Sequence, residues 1–384
     1  MNSDPVVELS DDELRQRGSA KWAAAPPDVL PAWVAEMDFA LSAVIAGALH
    51  EAVERGAVGY SPPDRLCGVA EVLAGFARER WAWEVDPERV VLATDTMTGV
   101  EVVLRTLCDE APVVVPTPAY PPFLGVVPLT AREMIPVPLS PDAGTATLDL
   151  DTIGTALAAG ARTVLLCQPH NPWGRVFSRT ELEGLRDVVD HHGARVLSDE
   201  VHGPLVLRGA SHLPYAAVDG AAQHTTTLTS PAKGWNMPGV KCAQIVVGND
   251  ADREALRALP LVANHGPSPL GVAAARAAYE RGGSWLDAVV ERLSDNRDRF
   301  AALVAERLPA ARLRPVEATY LAWLDVRAYG HANPAQAALK RGQVLVNDGA
   351  SFGPGGAGHV RVNLATSADR VEQTVRRLAE AFEG

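Results

Sequence analysis

Thr225-Thr-Thr-Leu-Thr-Ser-Pro-Ala-Lys-Gly-Trp-Asn-Met-Pro-Gly239 decides how the rest of the chain is read. A β-branched run ends in small hydroxyl residues, and Lys233 then stands among residues that break structure or pack tightly. A desolvated lysine loses its proton readily, and the neutral amine can form a Schiff base with a carbonyl. A lone lysine in a turn is ordinarily a solvated surface residue, so the meaning of Lys233 rests on its upstream company.

That company is a series of short apolar strands separated by helices. Arg89–Ala93, Pro112–Val115, Thr163–Cys167, Arg195–Leu197, Thr226–Thr229 and Ala243–Val247 read as strands buried on both faces. Such strands alternating with helices predict an α/β domain with a mostly parallel sheet. Ser178-Arg-Thr-Glu181 is a capping box, and Leu182, Leu185, Val188 and Val189 mark one face of the helix it opens. Val100, Val103, Leu104 and Leu107 place another helix whose start falls at Thr94-Asp-Thr-Met97. In such sheets ligands collect at the carboxyl ends of strands, beside helix amino termini. Three polar clusters follow three of these strands in turn: Gln168-Pro-His-Asn-Pro-Trp-Gly174, Ser198-Asp-Glu-Val-His202, and Ser230 with Lys233. Each alone is an ordinary turn or cap, but the three fall in register on one sheet edge.

The flanks read differently. Residues 1–45 form an arm carrying Trp33-Val-Ala-Glu-Met-Asp-Phe39, too irregular to assign to an element. A helix near Ala43–Arg55 leads into Gly59-Tyr-Ser-Pro-Pro-Asp64, where glycine and paired prolines force a loop. Helical text over Val272–Arg281 and Trp285–Arg307, then Ala318–Asp325 and a strand at His359–Leu364, read as a smaller α+β domain. The expected division is an arm with part of the small domain at 1–45, a large domain at 46–275 and a small one at 276–384.

Composition bounds the function. Lys plus Arg total 35 against 47 Asp plus Glu, a net charge of −12, which argues against nucleic acid or an anionic membrane as partner. The acidic amino terminus lacks the basic flank and apolar core of a signal peptide, and no apolar run approaches the roughly 20 residues of a membrane span. A cytoplasmic protein is expected. Cys67, Cys108, Cys167 and Cys242 form no C-x-x-C pair, which fits buried reduced thiols and requires no metal. Gly353-Pro-Gly-Gly-Ala-Gly358 matches G-x-G-x-x-G, but a strand rather than a helix follows it, so it reads as a flexible loop and not as a dinucleotide fingerprint.

A Schiff-base lysine, an aspartate at the next strand end upstream and an asparagine one further suit pyridoxal phosphate, whose ring nitrogen wants an acidic partner. From about residue 30 to the end the chain resembles the fold-type-I pyridoxal-phosphate-dependent aminotransferase superfamily. Pro31-Ala-Trp-Val-Ala-Glu-Met-Asp-Phe39 narrows the resemblance to the cystathionine β-lyases and related C–S lyases. It implies a large domain with a mostly parallel seven-stranded sheet and a smaller α+β carboxyl-terminal domain. It makes Lys233 the Schiff-base lysine, Asp199 the partner of the ring nitrogen, Asn171 the donor to the ring 3-oxygen with His202 close by, and Tyr120 the residue stacked on the ring. The phosphate falls to the backbone of Thr96 and Met97, to Ser230, and to Tyr60 reaching from a second subunit, with Lys241 at the position of a phosphate-binding arginine in many aminotransferases. Asp95 is expected to cap the Thr98 helix rather than face the anion. Arg361 matches the arginine that holds the substrate α-carboxylate, and Tyr60 and Asn171 would share in substrate binding.

The implied reaction is α,β-elimination from cystathionine or another cysteine S-conjugate, with Lys233 as base and Tyr120 as acid, giving a thiol, pyruvate and ammonia. An aminotransferase shares every one of these residues. A specialised lyase or deaminase of secondary metabolism, with His265 and Trp173 lining a larger pocket, is a further reading, and a protein binding a regulatory partner is another. The resemblance also implies a homodimer, with Tyr60 and Asn264–Leu270 lent across its two-fold axis.

Overall fold

The computed structural model describes residues 6–139 and 145–383. In chain order a short strand β1 (Leu30–Pro31) precedes β2 (Val90–Ala93), β3 (Val113–Thr117), β4 (Met134–Pro138), β5 (Thr163–Cys167), β6 (Arg195–Asp199), β7 (Thr225–Thr229) and β8 (Ala243–Val247). They are followed by β9 (Arg312–Leu313), β10 (Leu321–Asp325), β11 (Val344–Leu345), β12 (Asn347–Asp348) and β13 (His359–Asn363).

Seven strands form one twisted sheet in the order β2-β8-β7-β6-β5-β3-β4. β8 runs antiparallel to both its neighbours, and every other pairing is parallel. The expected mostly parallel α/β sheet is therefore present. β4 is the strand that the apolar pattern does not announce, because Pro136 and Pro138 interrupt it; at the sheet edge they leave no ladder donor wanting. β6 runs on to Asp199, two residues past the apolar run, because the fully buried end of β6 still pairs with β5 and β7. The capping box at Ser178 is closed in both directions, and the helix Arg179–His191 buries Leu182, Leu185 and Val189. The segment 353–358 contains no helix, as expected of a loop, yet it is closely packed: a Cβ at Gly356 would meet the Gly349 carbonyl at 2.0 Å.

A 25-residue helix, Gly283–Arg307, leads from the large sheet to a smaller antiparallel one in the order β12-β13-β10-β9. Arg361 lies mid-strand in β13, opposite Trp323 of β10 and Asn347 of β12. The arm belongs spatially with this part, since β1 pairs with β11. Among the described residues no helix is long and apolar enough to cross a membrane.

The irregular stretch Trp33–Phe39 is a strap with no regular ladder, held by a few backbone bonds, such as the Asp38 amide to the Ala365 carbonyl at 2.9 Å, and by side chains. Asn363 Nδ2 donates to the carbonyls of Val34 (2.5 Å) and Glu36 (2.7 Å). Asn236, three residues past Lys233, exchanges two hydrogen bonds with the Met37 backbone at 2.8 and 3.0 Å. Asp38 accepts from Trp22 Nε1 at 2.7 Å and pairs with Lys21 at 2.9 Å, both charged groups being 1% exposed. Removing one partner of such a pair strands the other charge in the interior. Asp38→Ala is therefore expected to cost about 3–5 kcal/mol in urea unfolding, whereas the double variant Lys21→Met/Asp38→Leu should lose much less. A single variant within about 0.5 kcal/mol of the parent would show that the pair does not anchor the strap.

Candidate active site

The ends of β5, β6 and β7, the start of the helix Thr96–Leu107 and the strap enclose a cavity of about 330 Å³. Asn171, Asp199, His202, Ser230 and Lys233 all line it, so the three clusters that follow consecutive parallel strands do converge. Lys233 is half-buried and its Nζ donates to the Ala35 carbonyl of the strap at 3.0 Å. Burial, and then the Arg361 charge, push its amine down to about 8. Asp199 closes β6 and accepts one protein hydrogen bond, from the Val201 amide at 3.1 Å. Burial raises its carboxyl to about 7. His202 is buried, its Nδ1 has no partner among the described residues, and burial followed by the nearby Lys233 lowers it to about 3. Tyr120 precedes the helix Pro121–Leu129 and lines the same cavity; burial and then Asp199 raise its hydroxyl, which stays protonated as a donor.

At the other end of the cavity the helix Thr96–Leu107 begins. Asp95 is its cap, accepting from the Thr98 amide at 2.8 Å, as expected, and its second oxygen takes Lys241 at 2.5 Å. The Thr96 and Met97 amides belong to the first turn and have no intrahelical acceptor. Lys241 and its partner Asp95 line the cavity beside them, so Asp95 caps the helix as expected but does not stand clear of this corner, and it is the helix start that suits the corner to an anion. Ser230 also lines this corner, but its hydroxyl donates to the Cys242 carbonyl at 2.8 Å and accepts from the Ala232 amide at 3.1 Å.

Arg361 stands behind Asn171. Its Nη1 donates to Asn171 Oδ1 at 3.0 Å, and its Nη2 to Asn347 Oδ1 at 2.7 Å and to the Trp33 carbonyl at 3.2 Å. Among the described residues its Nε has no partner and no carboxylate pairs with it. Burial lowers the guanidinium to about 10. A buried arginine held only by neutral oxygens is a site for an anion brought from outside.

Several contributors are not legible in the sequence. Ala35 offers a carbonyl, Asn347 is a neutral partner across the sheet from Arg361, and Tyr320 places its hydroxyl 2.9 Å from the same Ala35 oxygen with its ring edge-on to His202. None carries a motif, and each reaches the site through pairing distant in sequence. Tyr60 is not brought to the cavity by its own chain. It is fully exposed and lines a separate hollow with Asn264 and His265. Trp173 packs against Trp323 and His359 rather than into the cavity.

The donor set fits pyridoxal phosphate: an amine poised near neutrality, a buried carboxyl lacking a cationic partner, an orphaned imidazole nitrogen, an aromatic hydroxyl and a helix start. Residues 34–378 match the family described as aminotransferase class I and II. The chain belongs to the aminotransferase class I and II family. Cystathionine beta-lyase of Corynebacterium glutamicum is 38% identical over 97% of this chain and 98% of its own. Cystathionine beta-lyase PatB of Bacillus subtilis is 33% identical over 92% and 93%. Among solved structures, cystalysin from Treponema denticola, which contains pyridoxal 5′-phosphate, superimposes with a TM-score of 0.91 at 25% identity, covering 100% of this chain and 99% of that one. This aminotransferase-family protein is thus a fold-type-I enzyme that uses pyridoxal 5′-phosphate, and the resemblance read from its motifs holds.

A carboxyl raised by burial binds its proton more tightly in the folded than in the unfolded chain. Its stabilising effect is complete below the unfolded value of 3.8 and is lost as pH rises through about 7. The cofactor-free Asp199→Asn variant is accordingly expected to be more stable than the parent at pH 8, by on the order of 2 kcal/mol, and no more stable at pH 4. Urea titrations at the two pH values check this; an equal difference at both would contradict it.

Proposed function

We propose that this enzyme is a carbon–sulfur β-lyase that cleaves L-cystathionine or another cysteine S-conjugate to a thiol, pyruvate and ammonia. The observation carrying this reading is one cavity lined by Lys233, Asp199 and Asn171, with Arg361, which has no carboxylate partner among the described residues, bonded to Asn171 at 3.0 Å behind it. Relatives described as cystathionine β-lyases over nearly the whole chain support it.

Pyridoxal phosphate, when bound, supplies an electron sink for the charge that develops at the substrate Cα. Asp199 would pair with its ring nitrogen, Asn171 and His202 would face its 3-oxygen side, and Tyr120 would cover the ring. Thr96, Met97 and Lys241 would hold the phosphate, Lys241 moving partly from Asp95, and Ser230 would join them on turning its hydroxyl from the Cys242 carbonyl. Arg361 binds the substrate α-carboxylate bidentately, with Asn171 turning its oxygen toward the guanidinium. Lys233, with an amine near 8, removes the Cα proton close to physiological pH. Tyr120, kept protonated by burial, donates to the departing sulfur. Aminoacrylate leaves and hydrolyses to pyruvate and ammonia. In this reading residues 46–275 form the cofactor-binding domain, and residues 1–45 with 276–384 supply the strap and Arg361.

Purified holoenzyme supplied with L-cystathionine and no keto acid is expected to release thiol and pyruvate in equal amounts, and Lys233→Ala to reduce the rate at least about a thousandfold. Strict dependence on a keto-acid acceptor, with no thiol released, would make the protein an aminotransferase instead.

The reading includes a homodimer that lends Tyr60 to the opposite site. Val58, Tyr60, Leu66, Leu261 and Val262 are all exposed, and Tyr60 and Leu261 border the same hollow, the kind of apolar surface a second copy would cover. Subunits of Tyr60→Ala and Lys233→Ala, each nearly inactive alone, should recover up to about a quarter of parental activity when unfolded and refolded together, because mixed dimers carry one intact site. No recovery despite mixed dimers would place Tyr60 outside the partner's site.

A further inference from the structure

Directly beyond Asp199, the Glu200 side chain turns away from the cavity into the protein. Glu200 is 1% exposed, an unfavourable place for a carboxylate unless its oxygens are filled. Three donors surround it: Ser198 Oγ at 2.7 Å and the Tyr215 amide at 2.9 Å on Oε1, and His212 Nε2 at 3.1 Å on Oε2. The neighbouring backbone is shaped to admit this imidazole. A Cβ on Gly203 would lie 3.1 Å from His212 Nε2, from the Glu200 carbonyl and from the Trp81 ring, so a side chain there would press on the histidine and the ring. Trp81 then closes over His212 edge-on at 5.3 Å. None of these groups lines the cofactor cavity; His212 borders a separate hollow of about 210 Å³ together with Arg80 and Asp287, which pair with each other at 2.6 Å.

We propose that His212 is a positioning residue for the cofactor site: its hydrogen bond to Glu200 pins the end of β6 and offsets the Glu200 charge, so that Asp199 meets the cofactor ring as an aimed carboxylate. The inference rests on the reading of Asp199 as the partner of the ring nitrogen. Among the described residues the Asp199 side chain has one donor, so its direction follows the backbone between Ser198 and Val201; the strand ladder holds that backbone in the sheet, through the Glu200 amide to the Leu228 carbonyl at 2.8 Å, and the Glu200 side chain adds a tie on the far side. The charged groups acting on Asp199 are Glu200 behind it and Lys233 in the cavity; the neutral Tyr120 hydroxyl and Cys167 thiol line the cavity beside it, and Arg361 stands beyond Asn171. The Glu200 charge acts to raise Asp199, so a donor that offsets it favours the ionised form.

The test uses holoenzyme of His212→Phe, His212→Gln and Ser198→Ala, with Asp199→Asn as reference. Two quantities are read: the pH midpoint of the bound cofactor's absorbance change, and the rate of cofactor loss into cofactor-free buffer. His212→Phe is expected to lose cofactor about tenfold faster and to move the midpoint toward that of Asp199→Asn, while His212→Gln, which keeps a donor, stays near the parent. Ser198→Ala should move in the same direction by less, and it decides the matter if His212→Phe does not fold. If Asp199→Asn itself leaves both quantities at parental values, the reading of Asp199 fails. A response in Asp199→Asn with none in His212→Phe or Ser198→Ala overturns the proposal alone, and a lowered melting temperature with an unmoved midpoint would reduce His212 to a purely structural residue.

Discussion

Three ionisable groups, two lining one cavity and Arg361 behind it, are drawn out of water without a matched counter-charge for each among the described residues, and the arrangement of the molecule follows from that constraint. Lys233 is held by a carbonyl, Asp199 by one amide and Arg361 by two side-chain amide oxygens and a carbonyl. Neutral partners leave the charge only partly compensated, which is why the amine and guanidinium are lowered and the carboxyl raised. A fold seeking stability alone would pair these groups or remove them. Held apart, they suit a bound molecule that is itself charged in three places, as pyridoxal phosphate joined by an amino acid would be.

Keeping such groups apart demands rigid supports, and the support is distributed. The parallel strand ends place Asn171, Asp199 and Lys233 on one edge, while the smaller antiparallel sheet brings Arg361 to them from the far end of the chain. The strap Trp33–Phe39 joins the two. It gives the Ala35 carbonyl to Lys233 and the Trp33 carbonyl to Arg361, and is itself fixed by Asn363, Asn236 and the buried Lys21–Asp38 pair. A stretch with no regular hydrogen-bond ladder must satisfy its remaining buried backbone groups through side chains once isolated backbone bonds, such as the Asp38 amide to the Ala365 carbonyl, are made. That requirement explains the density of asparagine and charged anchors around it.

A second layer lies behind the first. Glu200 and His212 face away from the cavity, yet they hold the same strand end that carries Asp199. Polar groups buried in this way restrict the backbone more firmly than apolar packing, because each must keep its geometry to remain satisfied.

Much of the design was readable before folding. Strands buried on both faces appear as continuous apolar runs, helix starts carry their caps, and the polar residues that follow strands β5, β6 and β7 announce a site. Asp95 as a cap and the convergence of Asn171, Asp199 and Lys233 follow from local chemistry and sheet topology, and the motifs around them sufficed to indicate the family. Other features have no local signature. The edge strand β4 hides behind its two prolines, the strap has no period, and Asn347, Tyr320 and Ala35 contribute one atom each through contacts spanning tens to hundreds of residues. Tyr60 stands outside the cavity built by its own chain. The sequence by itself determined which elements form and which residue types gather at the strand ends, because periodicity and capping act over a few residues. Only the tertiary structure decided which neutral oxygens meet Lys233 and Arg361, and hence how far their charges are left uncompensated, because burial and partners are properties of packed surfaces rather than of neighbouring residues.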